Sequence, residues 1–284
     1  MSVPNYLVSC VITTKDRSEL VIRAVKSVLG QSYRNIEIIL VDDSDERGAC
    51  EGVLRLGGEV KYIKNEKSHG ACYSRNLGLS EAKGDFIAFL DDDDLWMPKK
   101  IEVQLKEAMK YPLVGCSFIL CSGRTKQRVQ QLKIVNYEDM LYHNYLGSCS
   151  FVLAQASAIK RCRFDETREV GQDWDMWLSV MQINSIHRAY NVKEYLVSYN
   201  QGLHPRISNT AKHERALFSL YEKHVNEYTP FTTNMFGVYN FIKVEDSLLL
   251  WGLREIAKVR LKSKGLIFFI KILLKRLLGR IEIF

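Results

Sequence analysis

A chain of 284 residues, 46% hydrophobic and 26% charged, is long enough for one large domain or two closely joined ones, and its composition excludes a disordered chain. The net charge of +7 is confined to the end: from Lys258 to Phe284 eight basic residues face one acid, Glu282, a difference of +7, so residues 1–257 sum to zero. That distribution argues against a nucleic-acid-binding surface, and seven scattered cysteines without a C-x-x-C pair argue against a disulfide framework and for a reducing cytosol.

The amino terminus, Met1 to Tyr6, lacks the basic-then-apolar pattern of a secretory signal. The first predicted strand is Leu7 to Thr13. A helix follows from Glu19 to Leu29, capped by Ser18 and stopped by Gly30. Strands are predicted at Ile36 to Val41 and Val60 to Ile63, a helix from about Ala71 to Ala82 ahead of Gly84, and a strand at Phe86 to Leu90. After Pro98 a helix is predicted to about Met109, then a strand at Val114 to Leu120. Strand and helix alternating at this spacing imply a parallel sheet covered on both faces. Beyond residue 122 the alternation loosens. Arg124 to Gln131 reads as a loop or edge hairpin, Tyr137 to Tyr142 as a short helix and Phe151 to Leu153 as a short strand. Asp173 to Met181 starts a helix, Tyr195 to Tyr199 is extended, and Ala211 to Tyr228 and Asn240 to Val259 read as helical.

Ligands of open α/β sheets bind outside the carboxyl ends of the strands. Three polar clusters stand there: Thr13-Thr14-Lys15-Asp16-Arg17, Asp42-Asp43-Ser44, and the run Asp91 to Asp94. Four adjacent carboxylates repel one another and push their protons back on unless a cation sits among them. A hard divalent ion suits such oxygens and leaves positions open for phosphate oxygens. The plainer reading of the run is a solvated turn between strand and helix.

Together these residues resemble the family 2 glycosyltransferases, inverting nucleotide-sugar enzymes of GT-A fold. The resemblance is carried in order by Val11 to Arg17, Ser27 to Tyr33, Glu37 to Ser44, Asn65 to Gly70, Ser74-Arg75-Asn76-Leu77-Gly78, Ala82 to Asp94 and Trp96-Met97-Pro98. Later landmarks are Gly171-Gln172-Asp173-Trp174-Asp175 and His204-Pro205-Arg206-Ile207-Ser208. The resemblance implies a Rossmann-like, mostly parallel central sheet flanked by helices, with a C-terminal helical extension. It divides the chain into a nucleotide-sugar-binding half at 1–122, an acceptor-binding half at 123–215, a helical extension at 216–257 and a basic tail at 258–284.

The same resemblance assigns roles. Asp91 and Asp93 match the Asp-x-Asp motif, Asp93 as principal ligand of Mn2+ or Mg2+ and Asp91 near the sugar and ribose and reaching the metal through water. Asp92 occupies the variable position, placed on the nucleotide-sugar side or in a structural role. Asp43, or its neighbour Asp42, corresponds to the carboxylate that reads the uracil ring of a UDP-sugar, with Thr13 and Asp16 lining that pocket. Arg75 is a nucleotide contact or an ion-pair partner of a nearby acid. His204 is a third metal or diphosphate contact. Asp173 matches the general base, with Asp175 the competing candidate, and Gln172 stands where the family usually has Glu. Two rival readings are a catalytically idle homologue acting as an assembly subunit, with Gln172 as its sign, and a nucleotidyltransferase, which would want a Gly-rich phosphate loop near the first strand.

In the tail Leu266, Ile270, Leu273, Leu274 and Leu277 recur at helical spacing, flanked by Lys271, Lys275, Arg276 and Arg280. The longest apolar run, Leu266 to Ile270, is far short of the roughly 20 residues a spanning helix needs. The expectation is a helix lying in an anionic membrane interface, with packing on the protein or a partner as the alternative. The chain is thus expected on the cytoplasmic face of the inner membrane, acting on a lipid-linked saccharide for a surface polysaccharide.

Overall fold

A computed structural model describes residues 5–45, 52–53, 55–56, 60–200, 211–229, 232–233 and 236, with the side chains of 211–215 left aside. His204, the helix expected at Asn240 to Val259 and the basic tail lie outside the described residues. Among the described residues ten strands form one sheet: β1 Val8–Thr14, β2 Ile36–Asp42, β3 Val60–Lys64, β4 Phe86–Asp91, β5 Leu95–Trp96, β6 Leu113–Ser122, β7 Thr125–Val129, β8 Ile134–Asn136, β9 Leu153–Gln155 and β10 Arg188–Asn200. The described helices are α1 Ser18–Leu29, α2 Ala71–Glu81, α3 Lys100–Ala108, α4 Tyr137–Met140, α5 Ala156–Ile159, α6 Gln172–Ile183 and α7 Ala211–Lys223.

The spatial order is β3-β2-β1-β4-β9-β6-β10-β5, with β7 also paired to β6 and β8 to β10. Strands β1 to β4 are mutually parallel, β6 is parallel to β10, and both antiparallel steps through β9 restore the original direction. The long strands therefore all deliver their carboxyl ends to one edge. This is the GT-A arrangement of a mostly parallel sheet flanked by helices.

Burial explains the strand order. Val8, Cys10 and Ile12 face one side of β1 and pack with Val21, Ala24, Val25 and Val28 of α1, spaced as one helical stripe, and with Ile101 and Leu105 of α3. On the other face Val11 meets α2, where Gly78 permits the approach: a Cβ there would lie 2.3 Å from Val11 Cγ1. Arg75 sits one turn earlier on α2, so this close contact sets how far Arg75 reaches over the sheet.

Several boundaries differ from the sequence expectation for local reasons. Ser18 is the first helical residue of α1, Arg17 holds the cap position, and no side chain caps the helix. Cys149–Phe151 forms a 3-10 turn, the Ser148 hydroxyl accepting from the Ser150 N–H, so β9 begins only at Leu153. Strand β10 begins at Arg188, well before Tyr195, and its register slips between Val192 and Val197, which breaks the two-residue alternation that reveals a strand. The stretch from Arg124 resolves as a hairpin, β7 pairing antiparallel with β6.

By compactness the chain divides into two units, Met1–Tyr137 with Tyr145–Leu220, and Glu138–Asn144 with Tyr221–Phe284. In the second, the rings of Tyr221 and Tyr228 lie 4.7 Å apart and the Tyr228 hydroxyl donates to the Leu141 carbonyl. All the elements of the site described below belong to the first. Among the described residues no helix is long and apolar enough to cross a membrane.

Candidate active site

The ends of β2, β1 and β4 lie side by side, with Thr13 opposite Val41 on one flank and Asp91 on the other, and Thr14 opposite Asp42. The three polar clusters of the sequence therefore meet at one edge. The chain reverses after β4 through a turn closed by the Asp94 N–H on the Asp91 carbonyl at 3.1 Å. This turn sorts the four aspartates. The side chains of Asp91 and Asp93 are 28% and 31% exposed, whereas that of Asp92 is 7% exposed and Asp94 is fully buried.

The inward pair has internal partners. Asp92 accepts from Thr14 Oγ1 at 2.7 Å and from Arg17 Nη1 at 3.0 Å, tying the turn to the loop after β1. Asp94 accepts from the backbone N–H of Asn200 at 2.9 Å, which fixes the end of β10 against the turn. Burial, then the Asp91 charge, pushes the Asp94 carboxyl well above the usual carboxylate range.

The outward pair carries the open negative charge. Asp93 is pushed up to about 6, first by burial and then by Asp91 and Asp92, while Arg17 Nη1 lies 3.5 Å away. A cation at this point would relieve that repulsion. Among the described residues no group of three or more Asp, Glu, His or Cys side chains surrounds one point. The donor set is nonetheless suited to a hard divalent ion, since Mg2+ commonly takes one or two protein carboxylates and fills its other positions with water and phosphate oxygens.

The second cluster has two distinct carboxylates. Asp42 is fully buried, its Oδ1 accepting from Ser44 N at 2.9 Å and Ser44 Oγ at 2.5 Å and its Oδ2 from Tyr62 Oη at 2.8 Å. Asp43 accepts from Asn65 Nδ2 at 2.6 Å, the His69 and Gly70 N–H groups at 2.8 Å each, and Ser68 Oγ at 2.9 Å. Burial opposes its charge, but these four donors hold it below the ordinary carboxylate value. Asp43 thus anchors the loop that leads into α2. Asp16 is exposed beside it with φ +55, a left-handed conformation that Asp tolerates, and its N–H donates to Ser44 Oγ at 2.9 Å.

Arg75 joins the two halves of the site. It is buried beside the Phe164 ring, donates through Nη2 to Asp91 Oδ1 at 2.7 Å and through Nη1 to Gln172 Oε1 at 2.8 Å. Gln172 opens α6, after Gly171 in a left-handed conformation with φ +70, and Asp173 follows in the first turn. Asp173 is half-buried and accepts from the Trp174 N–H at 2.7 Å. Burial lifts its carboxyl to about 6, with Trp174 and Arg75 lowering it and Asp91 raising it. Asp175 instead faces the interior, fully buried, with Arg168 Nε 3.8 Å from its Oδ2. Trp177 is core, its Nε1 donating to the Gly147 carbonyl at 3.0 Å.

Of the residues singled out from sequence, Thr13, Asp16, Asp42 and Asp43 gather at β1 and β2, and Arg75, Asp91, Asp93 and Asp173 around β4, α2 and α6. Asp92 turns inward between the groups. Sequence reading missed the bond of Arg75 to Gln172 and the pairing of Arg17 with Asp92 and Asp93; a basic residue directly after a strand end facing an acidic turn was the available signal for the second. Among the described residues Cys10, Cys72, Cys116, Cys149 and Cys162 are buried, and burial raises each thiol.

The model of "Glycosyl transferase family 2" matches residues 9–167, more than half of the chain. "Putative colanic acid biosynthesis glycosyl transferase WcaA" of Escherichia coli strain K12 is 29% identical over 87% of this chain and 91% of its own length. "UDP-Glc:alpha-D-GlcNAc-diphosphoundecaprenol beta-1,3-glucosyltransferase WfgD" of Escherichia coli is 28% identical over 64% of this chain and 72% of its own. Some matched relatives are much longer, the chain spanning 39% of two of them. Among solved structures, a mannosyltransferase of Pyrobaculum calidifontis in complex with GDP-Man and Mn2+ has the same fold, with a TM-score of 0.62 and 13% identity over 95% of this chain and 80% of that one. The chain belongs to glycosyl transferase family 2.

Proposed function

We propose that this glycosyltransferase moves a hexose or N-acetylhexosamine from a UDP-sugar to a hydroxyl of a lipid-linked saccharide, with inversion, in surface polysaccharide assembly. One observation carries the reading: a single guanidinium, Arg75, holds both Asp91 and the side chain next to Asp173. A donor-side carboxylate and a half-buried acid poised near neutrality are thereby fixed on one edge. The name of WfgD, with UDP-Glc as donor and a diphosphoundecaprenol-linked acceptor, supports the substrate classes, and the name of WcaA supports the polysaccharide role.

In this reading Asp173 removes the proton from the acceptor hydroxyl as its oxygen forms the new bond to the anomeric carbon, while the bond from that carbon to the UDP oxygen breaks on the opposite face. A carboxyl near 6 is largely ionised at neutral pH and still basic enough to take that proton. Thr13, Asp16 and the loop anchored by Asp43 border the uracil pocket. Asp91 and Asp93 would hold Mn2+ or Mg2+, with His204 as the assigned third contact, and the ion would neutralise charge on the departing diphosphate. Arg17 adds a cation beside the same turn. Residues 258–284 would hold the enzyme on the anionic cytoplasmic face of the inner membrane.

Isothermal titration of the full chain with UDP tests this assignment. Binding should require Mn2+ or Mg2+ and be lost in Asp93→Ala. Metal-independent binding, or none with either ion, would count against it.

A further inference from the structure

We propose that Gln172 is a positioning residue whose amide the site requires, so that restoring the glutamate usual in the family would impair this enzyme. The inference rests on the function proposed above and names a requirement that reading does not contain. It follows from what each end of the side chain touches. Oε1 accepts from Arg75 Nη1 at 2.8 Å. Nε2 donates to the carbonyl of Arg168 at 2.9 Å and to that of Glu169 at 3.3 Å. An amide accepts on one side and donates on the other, whereas an ionised carboxylate only accepts.

A glutamate has the same length and would keep the bond to Arg75. Its second oxygen, however, would be set against two carbonyl oxygens where a donor now stands, and a carboxylate has no hydrogen to give them. The side chain would have to turn away or the turn before α6 would have to shift. Leucine would keep the volume and lose all three bonds.

The consequence reaches Asp173 through the chain. The cap position of α6 is Gly171, which has no side chain to hold the first turn. Gln172 takes over that task by binding back to residues 168 and 169, while Arg168 is itself fixed by the carbonyl of Ala216 at 3.1 Å and by Asp175. Arg75 then relates this turn to Asp91. Gln172 is therefore the joint between the segment that carries Asp173 and the strand end that carries the metal-site carboxylates. Under the idle-homologue reading the same residue is a lesion, and glutamate would repair it. The two readings predict opposite signs for one substitution.

The test uses the full chain and the variants Gln172→Glu and Gln172→Leu. Transfer from UDP-glucose and UDP-GlcNAc to a GlcNAc-diphospholipid is measured, with UDP affinity by titration and amide hydrogen exchange over residues 168–175. We expect kcat in both variants to fall roughly ten- to a hundredfold, the scale of losing hydrogen bonds to a charged partner. Donor KM and UDP affinity should stay within about twofold, and exchange over 168–175 should accelerate about tenfold. Equal or higher kcat in Gln172→Glu, or full activity in Gln172→Leu, overturns the proposal. So does a loss confined to UDP affinity. If the parent chain transfers from no UDP-sugar, the proposed function fails, and unchanged exchange in both variants would still overturn the positioning role on its own.

Discussion

The Asp173 carboxyl gives the sharpest quantitative expectation. Its pKa rises from 3.8 to about 6, first through burial. The folded chain thus binds this proton more tightly than the unfolded chain. Stability from this group is greatest when it is protonated and declines as pH rises from about 3.8 to about 6. Above that window the ionised carboxyl costs the fold up to roughly 3 kcal/mol. Asp173→Asn removes the charge at constant shape, so at pH 7 it should gain about 1–3 kcal/mol of stability in urea unfolding while transfer falls by at least about a thousandfold. In the parent chain at saturating donor, kcat should be level above pH 7 and drop about tenfold between pH 7 and pH 5 as Asp173 protonates. Asp93 titrates near the same pH, so the profile is recorded at two Mn2+ concentrations. A limb due to Asp93 moves when the ion competes with the proton, and one due to Asp173 does not. A kcat flat from pH 5 to 7, or an Asp173→Asn variant that is active or less stable than the parent, would refute the reasoning.

Further expectations follow from particular contacts. Gly78→Ala places a methyl 2.3 Å from Val11 Cγ1 and should destabilise by about 1–3 kcal/mol in urea unfolding, with partial rescue by Val11→Ala; an unchanged midpoint would show that α2 does not rest on β1 there. Asp43→Asn turns a donor toward the N–H of either His69 or Gly70, which bind opposite oxygens of the carboxylate, and should cost about 2 kcal/mol of stability and weaken UDP binding in titration. Unaltered UDP affinity would separate the Asp43-held loop from the nucleotide pocket. A chain ending at Lys258 should stop cosedimenting with anionic liposomes; unchanged sedimentation would remove the tail as the anchor.

Much of this site could be read in the sequence because its parts are local. An apolar run followed at once by Asp42-Asp43 or by Asp91 to Asp94 is a strand end whatever surrounds it, and the resemblance to an Asp-x-Asp motif separates 91 and 93 from 92 and 94. What the sequence concealed depends on distant partners. Asp42 and Asp43 look equivalent, yet Tyr62, 20 residues on, occupies Asp42, while the loop from Asn65 to Gly70 occupies Asp43. Arg75 reads as a nucleotide contact or the partner of a nearby acid, but that its partners are Asp91 and Gln172 depends on residues 16 and 97 positions away. Gln172 looks like a weakened glutamate until the carbonyls beneath it are seen. Of strand β10 only Tyr195 to Tyr199 was legible, because register slips between Val192 and Val197 break the period that marks a strand.

One-step displacement with Asp173 as the base is the central proposal for this enzyme. Transfer from an α-linked UDP-sugar by the full chain with Mn2+, followed by NMR of the product's anomeric coupling, tests it most directly. A β-linked product from the parent chain and none from Asp173→Asn is the expected result. An α-linked product, or a β-linked product formed equally well by Asp173→Asn, would contradict it.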